Sequence, residues 1–302
     1  MDYLQQLQVV SKKKRIMKKI LLSLILVFPL LWISCDNIED EDKLTFVPYI
    51  TNLSTPITEV QDQQKVLLED YTGWKCVNCP KAAAKVGELT TKYSDKLVVM
   101  AIHTSQLFAA PSPANGNIDF RTDYGEKWAK EFGCSGLPTG LLNRNKFGAS
   151  YTVEVDNWDN KIQSLLDNSE HVININLGAE YRSVENKILV STSTEFLRDF
   201  DTTTLINVVV VESGIIGVQL NNLPEYGTTP KIDDFIFNHV LRKKAIIDYP
   251  LSSGNIASGT KFVNNYLLDI DTDIIDISKC MVIVFVTNSV TKQVLQVNEI
   301  HL

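Results

Sequence analysis

The sequence predicts an α/β domain followed by an antiparallel β-sandwich, both behind an N-terminal export signal. The α/β domain is indicated by Cys76 and Cys79, which stand between an apolar run and a helix-forming segment. From residue 171 onward, apolar residues alternate with polar ones in short runs, which is the pattern of half-buried strands. The export signal is indicated by an apolar run directly after paired lysines.

Length and composition are those of a globular protein with two domains. The chain has 302 residues, of which 44% are hydrophobic and 22% are charged, so it is long enough for two ordinary cores. Without residues 1–34, which carry six basic residues and one acid, the formal net charge changes from −7 to −12. A chain this acidic is a poor partner for nucleic acid. We expect neither nucleic-acid binding nor a cofactor.

Residues 1–34 are interpreted as an upstream extension followed by a signal peptide. The basic residues after Met17, the apolar run 20–33 and the small Ser34 follow one another in the order of a signal peptide. The run is shorter than the roughly 20 residues that span a bilayer. Met17 is therefore the expected natural start, and residues 1–16 are expected to have no structural role.

Cys35 resembles the lipid-modified cysteine of bacterial lipoprotein signals, because small Ser34 and apolar Ile33 precede it. Trp32 departs from that pattern, in which leucine stands three residues before the cysteine. The resemblance implies lipidation of Cys35, an acidic tether over residues 35–60 and a cell-envelope protein, periplasmic or surface-exposed, that is bound to the membrane by its lipid. Ordinary secretory cleavage, with Cys35 incidental, is the alternative.

The α/β domain is expected over residues 61–170. Val66–Asp70 is typical of a strand, and the segment after Cys79 is helix-forming, with Pro80 tolerated in its first turn. Leu97–Ile102 is an unbroken apolar run, as in a central parallel strand covered on both faces. The remaining expected elements are a helix at Tyr124–Phe132, the segment Gly136–Leu142 and a helix at about Val155–Leu166.

Three separated features make this domain resemble a thioredoxin-fold protein. Cys76 and Cys79 follow the first strand, and Asp70 stands six residues before Cys76. The sequence Gly-Leu-Pro-Thr around Pro138 is similar to the cis-proline loop of thioredoxins. The resemblance implies a Cys76–Cys79 disulfide, a substrate groove shaped by Pro138 and proton relay by Asp70.

The cysteine motif also departs from that of thioredoxin. Lys75 precedes Cys76, and Val-Asn separates the cysteines, so the redox potential is not transferable. Lys75 and the start of the helix favour a thiolate at Cys76. Cys76 is therefore expected to be the nucleophile, and Cys79 the resolving thiol.

Other roles for the same residues stay open. A permanently oxidised, structural Cys76–Cys79 bridge is one, and a soft-metal site that adds His103 is another. The second ligand pair that a zinc ribbon needs is missing, so we expect no metal. Glu69 and Asp70 are neighbours on the strand, so their side chains point to opposite faces. The sequence leaves open which of the two is the buried acid.

Two further cysteines lie outside the pair. Cys134 stands four residues before Pro138 and is either a third redox thiol or a plain buried cysteine. Cys280 opens the continuous apolar run 280–286, so we expect it to be buried and inert.

Residues 171–302 are interpreted as an all-β domain without a catalytic constellation. About seven short strands in about 130 residues, separated by Gly-, Asn- and Pro-rich turns, indicate an antiparallel Ig-like sandwich. The expected strands are Val172–Leu177, Lys187–Thr194, Leu205–Val211, Phe235–Ala245, Lys261–Ile270, Met281–Val286 and Val294–Ile300.

The lipoprotein signal, the thioredoxin-like domain and the β-rich C-terminal half together resemble one family. This is the outer membrane lipoprotein family named after a twenty-eight-kilodalton outer membrane protein. We expect a membrane-anchored thiol–disulfide oxidoreductase that acts on thiols and disulfides of exported proteins. The alternative is a non-enzymatic surface module for binding or adhesion, built on a thioredoxin-like scaffold.

Overall fold

The structure is a computed structural model and describes residues 57–270 and 272–302. The signal peptide, Cys35 and most of the tether expected from the sequence lie outside the described residues. The described part contains three α-helices and twelve strands in three sheets, so the protein is a mixed α/β structure dominated by strands. The helices are α1 (Cys79–Tyr93), α2 (Asp123–Glu131) and α3 (Trp158–Asn168). The strands are β1 (Val66–Thr72), β2 (Leu97–His103), β3 (Thr139–Leu142), β4 (Ile173–Arg182), β5 (Lys187–Phe196), β6 (Thr204–Glu212), β7 (Ile215–Leu220), β8 (Lys231–Phe237), β9 (Val240–Ser252), β10 (Lys261–Asp269), β11 (Cys280–Asn288) and β12 (Val294–His301).

Seven strands form one continuous sheet in the order β12-β11-β6-β9-β2-β1-β3. β1 and β2 are parallel, and β3 is antiparallel to β1. β2 meets β9 where Ala101 is opposite Val240, and the Ala101 N–H donates to the His239 carbonyl at 2.8 Å. Strands from before and after residue 170 therefore share a sheet. The division into separate domains at that residue stays a prediction.

Alternating side chains give this sheet two buried faces. On one face, α1 and α3 pack on β1 and β2, and the three-stranded sheet β10-β5-β4 packs on β6 and β11. On the other face, Trp128 of α2 and the following Phe132 contact residues of β1, β2, β9 and β11 in one apolar cluster. The core is thus built jointly by both halves of the chain.

The all-strand character expected for residues 171–302 is confirmed. The prediction of one strand over Phe235–Ala245 is wrong, because β8 ends at Phe237 and β9 begins at Val240. Between them His239 has φ 57°, a left-handed conformation that interrupts the extended backbone. β8 instead pairs with β7 in a two-stranded sheet. This pair, called the hairpin below, lies against the loop that carries the cysteines.

Candidate functional site

The chain passes from β1 into α1 through residues 73–78, called the cysteine loop below. Cys76 and Cys79 form a disulfide in which their Cα atoms are 5.4 Å apart. α1 begins at Cys79, so the helix start that is expected to favour a Cys76 thiolate lies at the second cysteine instead, three residues later. The reason is a turn in which the Cys79 N–H donates to the Cys76 carbonyl at 3.1 Å. Both cysteines are buried, with 2% and 3% of their surface exposed.

Neighbouring acids on β1 face opposite sides of the sheet, and both are buried. Glu69 accepts hydrogen bonds from Arg144 Nε and Nη2 at 2.9 and 2.8 Å. Asp70 faces α1 and lines a cavity of about 170 Å³ together with Cys79, Thr72 and other residues. Glu69 is therefore neutralised by a cation, and Asp70 is the acid that shares a cavity with the disulfide.

Burial controls the protonation of the groups that line this cavity. It raises the pKa of Asp70 to about 7, and Asp70 Oδ1 has no hydrogen-bond partner among the described residues. Burial, aided by Arg242, lowers the pKa of His103 to about 3. Burial, aided by His301, lowers the pKa of His239 to about 4. Near neutral pH both histidines are uncharged, and Asp70 is divided between its protonated and ionised forms.

Pro138 lies near the same end of β1 as the cysteine loop. The Leu137–Pro138 peptide bond is cis, and Pro138 is half-buried. The next residue, Thr139, begins β3 and is opposite Tyr71, close to the C-terminal end of β1. The proline and the cysteine loop therefore flank the same end of this strand.

The segment between β2 and α2 covers the cysteine loop from one side. The Phe108 carbonyl accepts a hydrogen bond from the Lys75 N–H at 2.9 Å, and the Ala110 carbonyl accepts one from Trp74 Nε1 at 2.9 Å. A Cβ added to Gly73 would lie 2.5 Å from the Phe108 carbonyl oxygen, so this approach requires glycine. The Lys75 ammonium lies over the Trp74 ring, 5.1 Å from its centroid.

The hairpin covers the loop from another side, a contact that the sequence did not predict. Gln219 Nε2 donates to the Cys76 carbonyl at 2.9 Å. The segment 215–220 after Gly214, in which four of six residues are apolar, is the sequence signal that could have identified β7. No local motif connects Gln219 with a cysteine that lies 143 residues earlier.

The other cysteines lie away from this cavity. Cys134 packs against the cluster that contains Tyr71, on the opposite face of β1 from Asp70. Burial raises the pKa of Cys134 to about 12, so it is a thiol at neutral pH. Cys280 is fully buried, and burial raises its pKa to about 12 as well.

Among the residues that the structure describes, no group of three or more His, Cys, Asp or Glu side chains is arranged to hold a metal ion. No helix among these residues is both long and apolar enough to cross a membrane.

The family of the chain follows from its C-terminal part. Residues 126–302 match the family model of outer membrane protein Omp28. The chain belongs to the Omp28 family. It is therefore an outer membrane lipoprotein, and the resemblance to this family and the expected localisation are confirmed. The matched residues begin in α2, so the cysteine loop lies before the match.

Solved structures of low sequence identity resemble this Omp28-family chain. HBP35 of Porphyromonas gingivalis superposes with a TM-score of 0.57 at 16% identity, over 80% of this chain and 76% of that chain, which shows a likeness of fold. Protein AGR_C_4864 from Agrobacterium tumefaciens gives a TM-score of 0.47 at 11% identity, over 80% and 96% of the two chains. A domain of the outer membrane lipoprotein Omp28 from P. gingivalis gives 0.27 at 17% identity, over 43% and 87%. Among curated protein sequences, none matches the chain.

Proposed function

We propose that this Omp28-family protein is a thiol–disulfide oxidoreductase for exported proteins, anchored by a lipid on Cys35. The proposal rests mainly on one observation, which is that the Asp70 carboxyl and Cys79 line the same cavity. A buried carboxyl with an unpaired oxygen and a pKa of about 7 lowers stability at neutral pH. A purely structural disulfide gains nothing from such a group, whereas a resolving cysteine needs a partner that takes up its proton.

The proposal includes a thioredoxin-like arrangement of residues 61–170. Its support is the parallel pair β1 and β2 with α1 between them in sequence, the cysteines at the β1–α1 junction, and Pro138 directly before β3. In this arrangement Cys76 precedes the helix. Its sulfur attacks the substrate disulfide when the substrate is reduced, and it is attacked by a substrate thiolate when the substrate is oxidised.

The exchange needs two sulfur-transfer steps. In the reduced protein, the Cys76 thiolate attacks a substrate disulfide, which forms a mixed disulfide and releases the substrate's other sulfur as a thiolate. Cys79 then loses its proton to the Asp70 carboxylate and attacks Cys76 Sγ. The Cys76–Cys79 disulfide forms and the second substrate thiolate leaves. The substrate gains two electrons, and the protein loses two.

The reverse sequence oxidises a substrate dithiol. A substrate thiolate attacks Cys76 Sγ, and the departing Cys79 sulfur takes a proton from the protonated Asp70. The second substrate thiolate then displaces Cys76, and the substrate disulfide forms. In either direction, repeated turnover requires a second protein dithiol or disulfide that restores the starting state.

A non-enzymatic binding module is the second candidate. Its support is the burial of both cysteines and the hydrogen bonds that occupy carbonyls of the cysteine loop. Under this alternative the disulfide braces a scaffold, and the β-rich half provides the binding surface.

Trapping of the mixed disulfide separates the two candidates. The Cys79→Ser variant, reduced and mixed with insulin as a disulfide substrate, is expected to form a stable adduct that is visible by mass spectrometry. The matched Cys76→Ser variant should form none, because it lacks the attacking sulfur. If neither variant forms an adduct and the unaltered protein leaves insulin disulfides intact, the oxidoreductase proposal is wrong.

A further inference from the structure

The hairpin is attached to the rest of the protein in a way that suits a moving element. Its two strands bond to each other and to neither of the other two sheets that the described residues form. The chain enters the hairpin at Gly214 (φ 74°) and leaves it at His239 (φ 57°). The Gly214 N–H donates to Asn238 Oδ1 at 2.9 Å, and the His239 N–H donates to Ser213 Oγ at 3.0 Å. Two left-handed residues therefore stand side by side at its base, as in a hinge.

The hairpin contacts the cysteine loop through two backbone hydrogen bonds. The N–H of Leu220 donates to the Trp74 carbonyl at 2.8 Å, and the N–H of Asn222 donates to the Val77 carbonyl at 3.1 Å. Donors on alternate residues lie along one edge of an extended segment. An extended peptide that presents two such donors fits the same two carbonyls, which lie three residues apart in the turns of the loop.

The same hairpin closes the space around the disulfide. Ile215 and Phe237 pack in an apolar cluster with Trp74, and Phe237 also lines the cavity that contains Asp70. Exchange requires a third sulfur to approach one sulfur of the disulfide. With Cys76 only 2% exposed, no substrate sulfur has that access while the hairpin is seated.

We propose that the β7–β8 hairpin is a lid that occupies the binding site of an extended substrate segment and swings away on residues 213–214 and 238–239. This inference rests on the proposed function and specifies its substrate. The substrate is a locally unfolded polypeptide that carries a cysteine. Its backbone N–H groups replace those of Leu220 and Asn222 on the cysteine loop.

The rate at which dithiothreitol reduces Cys76–Cys79 measures the opening of the lid. In Gln219→Ala, the reduction rate is expected to rise at least about five- to tenfold, because the variant loses the hydrogen bonds of Gln219 to the Cys76 and Gly73 carbonyls and one buried hydrogen bond alone changes the open population by about this factor. Asn222→Pro, at an exposed position, removes the N–H that bonds to Val77 and is expected to act in the same direction. The matched control is Gln296→Ala, which removes a fully buried amide bonded to Gln63 and Ile173.

Three results would overturn the lid. The first is a wild-type reduction rate equal to that of an unprotected model disulfide. The second is an unchanged rate in both hairpin variants. The third is an acceleration in Gln296→Ala as large as that in the hairpin variants, which would indicate global unfolding. The rate requires no turnover, so it is independent of the trapping experiment. Hairpin-specific acceleration without a trapped mixed disulfide would refute the oxidoreductase proposal and leave the hairpin as a mobile cover.

Discussion

Two consecutive acids on β1, Glu69 and Asp70, are both buried but have different surroundings. Glu69 is paired with Arg144, whose guanidinium also lies over the Trp128 ring, 4.5 Å from its centroid. Asp70 has no such cation, and burial raises its pKa to about 7. The pair with Arg144 contributes to the core, whereas Asp70 opposes stability wherever it is ionised. We therefore propose a structural role for Glu69 and a proton-transfer role for Asp70.

The cost of Asp70 predicts how stability depends on pH. Its pKa of about 7 in the folded protein exceeds the ordinary aspartate value of 3.8, so between these values the folded state binds more protons than the unfolded state. The contribution of Asp70 to stability therefore falls as pH rises through this window and is lowest above pH 7. The free energy of unfolding of Asp70→Asn minus that of the wild type should therefore increase from pH 5 to pH 8, by up to a few kcal/mol. Guanidinium denaturation at both values measures this gain.

The control for this substitution is Asp62→Asn, which changes an exposed carboxyl before β1. The gain between the two pH values should be smaller in this variant than in Asp70→Asn, because the Asp62 side chain is exposed to solvent. A gain between the two pH values that is no larger for Asp70→Asn than for Asp62→Asn would contradict the assignment of a raised pKa to Asp70.

The catalytic candidates could be identified from the sequence because they are close in the chain. Asp70, Cys76 and Cys79 lie within one strand, one loop and the start of one helix. The choice between Glu69 and Asp70 stayed open in the sequence. Alternation along a strand places the two side chains on opposite faces of the sheet, but it does not show which face lies toward the cysteines. That choice depends on Arg144, 75 residues away. Gln219 was missed for the same physical reason.

At the scale of elements, the cysteine loop depends on close backbone packing. A Cβ at Gly73 would meet the Phe108 carbonyl oxygen at 2.5 Å, and backbone atoms there have little room to move. Gly73→Ala should therefore destabilise the protein by about 1–3 kcal/mol, as overpacking usually does. The measurement is the guanidinium concentration at the unfolding midpoint, which should decrease while the dependence of the unfolding free energy on guanidinium concentration stays unchanged.

Gly87→Ala provides a control of opposite sign. Gly87 lies within α1, is exposed, and a Cβ there meets nothing within 4 Å. Alanine at a helix interior should stabilise the protein by up to about 1 kcal/mol. Equal effects of the two substitutions would show that the contact with Phe108 does not constrain the loop.

Helices were the elements that the sequence predicted best. The predicted helix Tyr124–Phe132 corresponds to α2 at Asp123–Glu131, because its apolar spacing is local and strong. The strand predicted over Phe235–Ala245 contains a break at His239 that periodicity does not reveal. A left-handed backbone at histidine is set by surrounding contacts, such as its N–H bond to Ser213 Oγ.

At the scale of the whole molecule, one sheet joins the two halves. Trp128 of α2 packs in a cluster with Phe285 of β11, and Ala101 of β2 pairs with Val240 of β9. A fragment of residues 57–170 would expose this apolar face and leave the edge of β2 open. We expect that fragment to lack cooperative unfolding and dispersed amide resonances in a two-dimensional NMR spectrum. A well-dispersed spectrum would show that residues 57–170 are an autonomous domain.

Sequence patterns gave the α/β character and the strand-rich C-terminal half, because each follows from local periodicity. They did not reveal that β6, β9, β11 and β12 extend the first sheet. Strand pairing across residue 170 is a long-range property, and several strand orders satisfy the same alternation.

We propose that Asp70 exchanges a proton with Cys79 during disulfide exchange. The most direct test is the rate of dithiothreitol reduction of Cys76–Cys79, expressed per reductant thiolate and followed from pH 5 to pH 9. In the wild type this rate should fall as pH rises through about 7, because ionised Asp70 no longer protonates the departing Cys79 sulfur. In Asp70→Asn the rate should be low and independent of pH. Superimposable profiles for the two proteins would contradict the account.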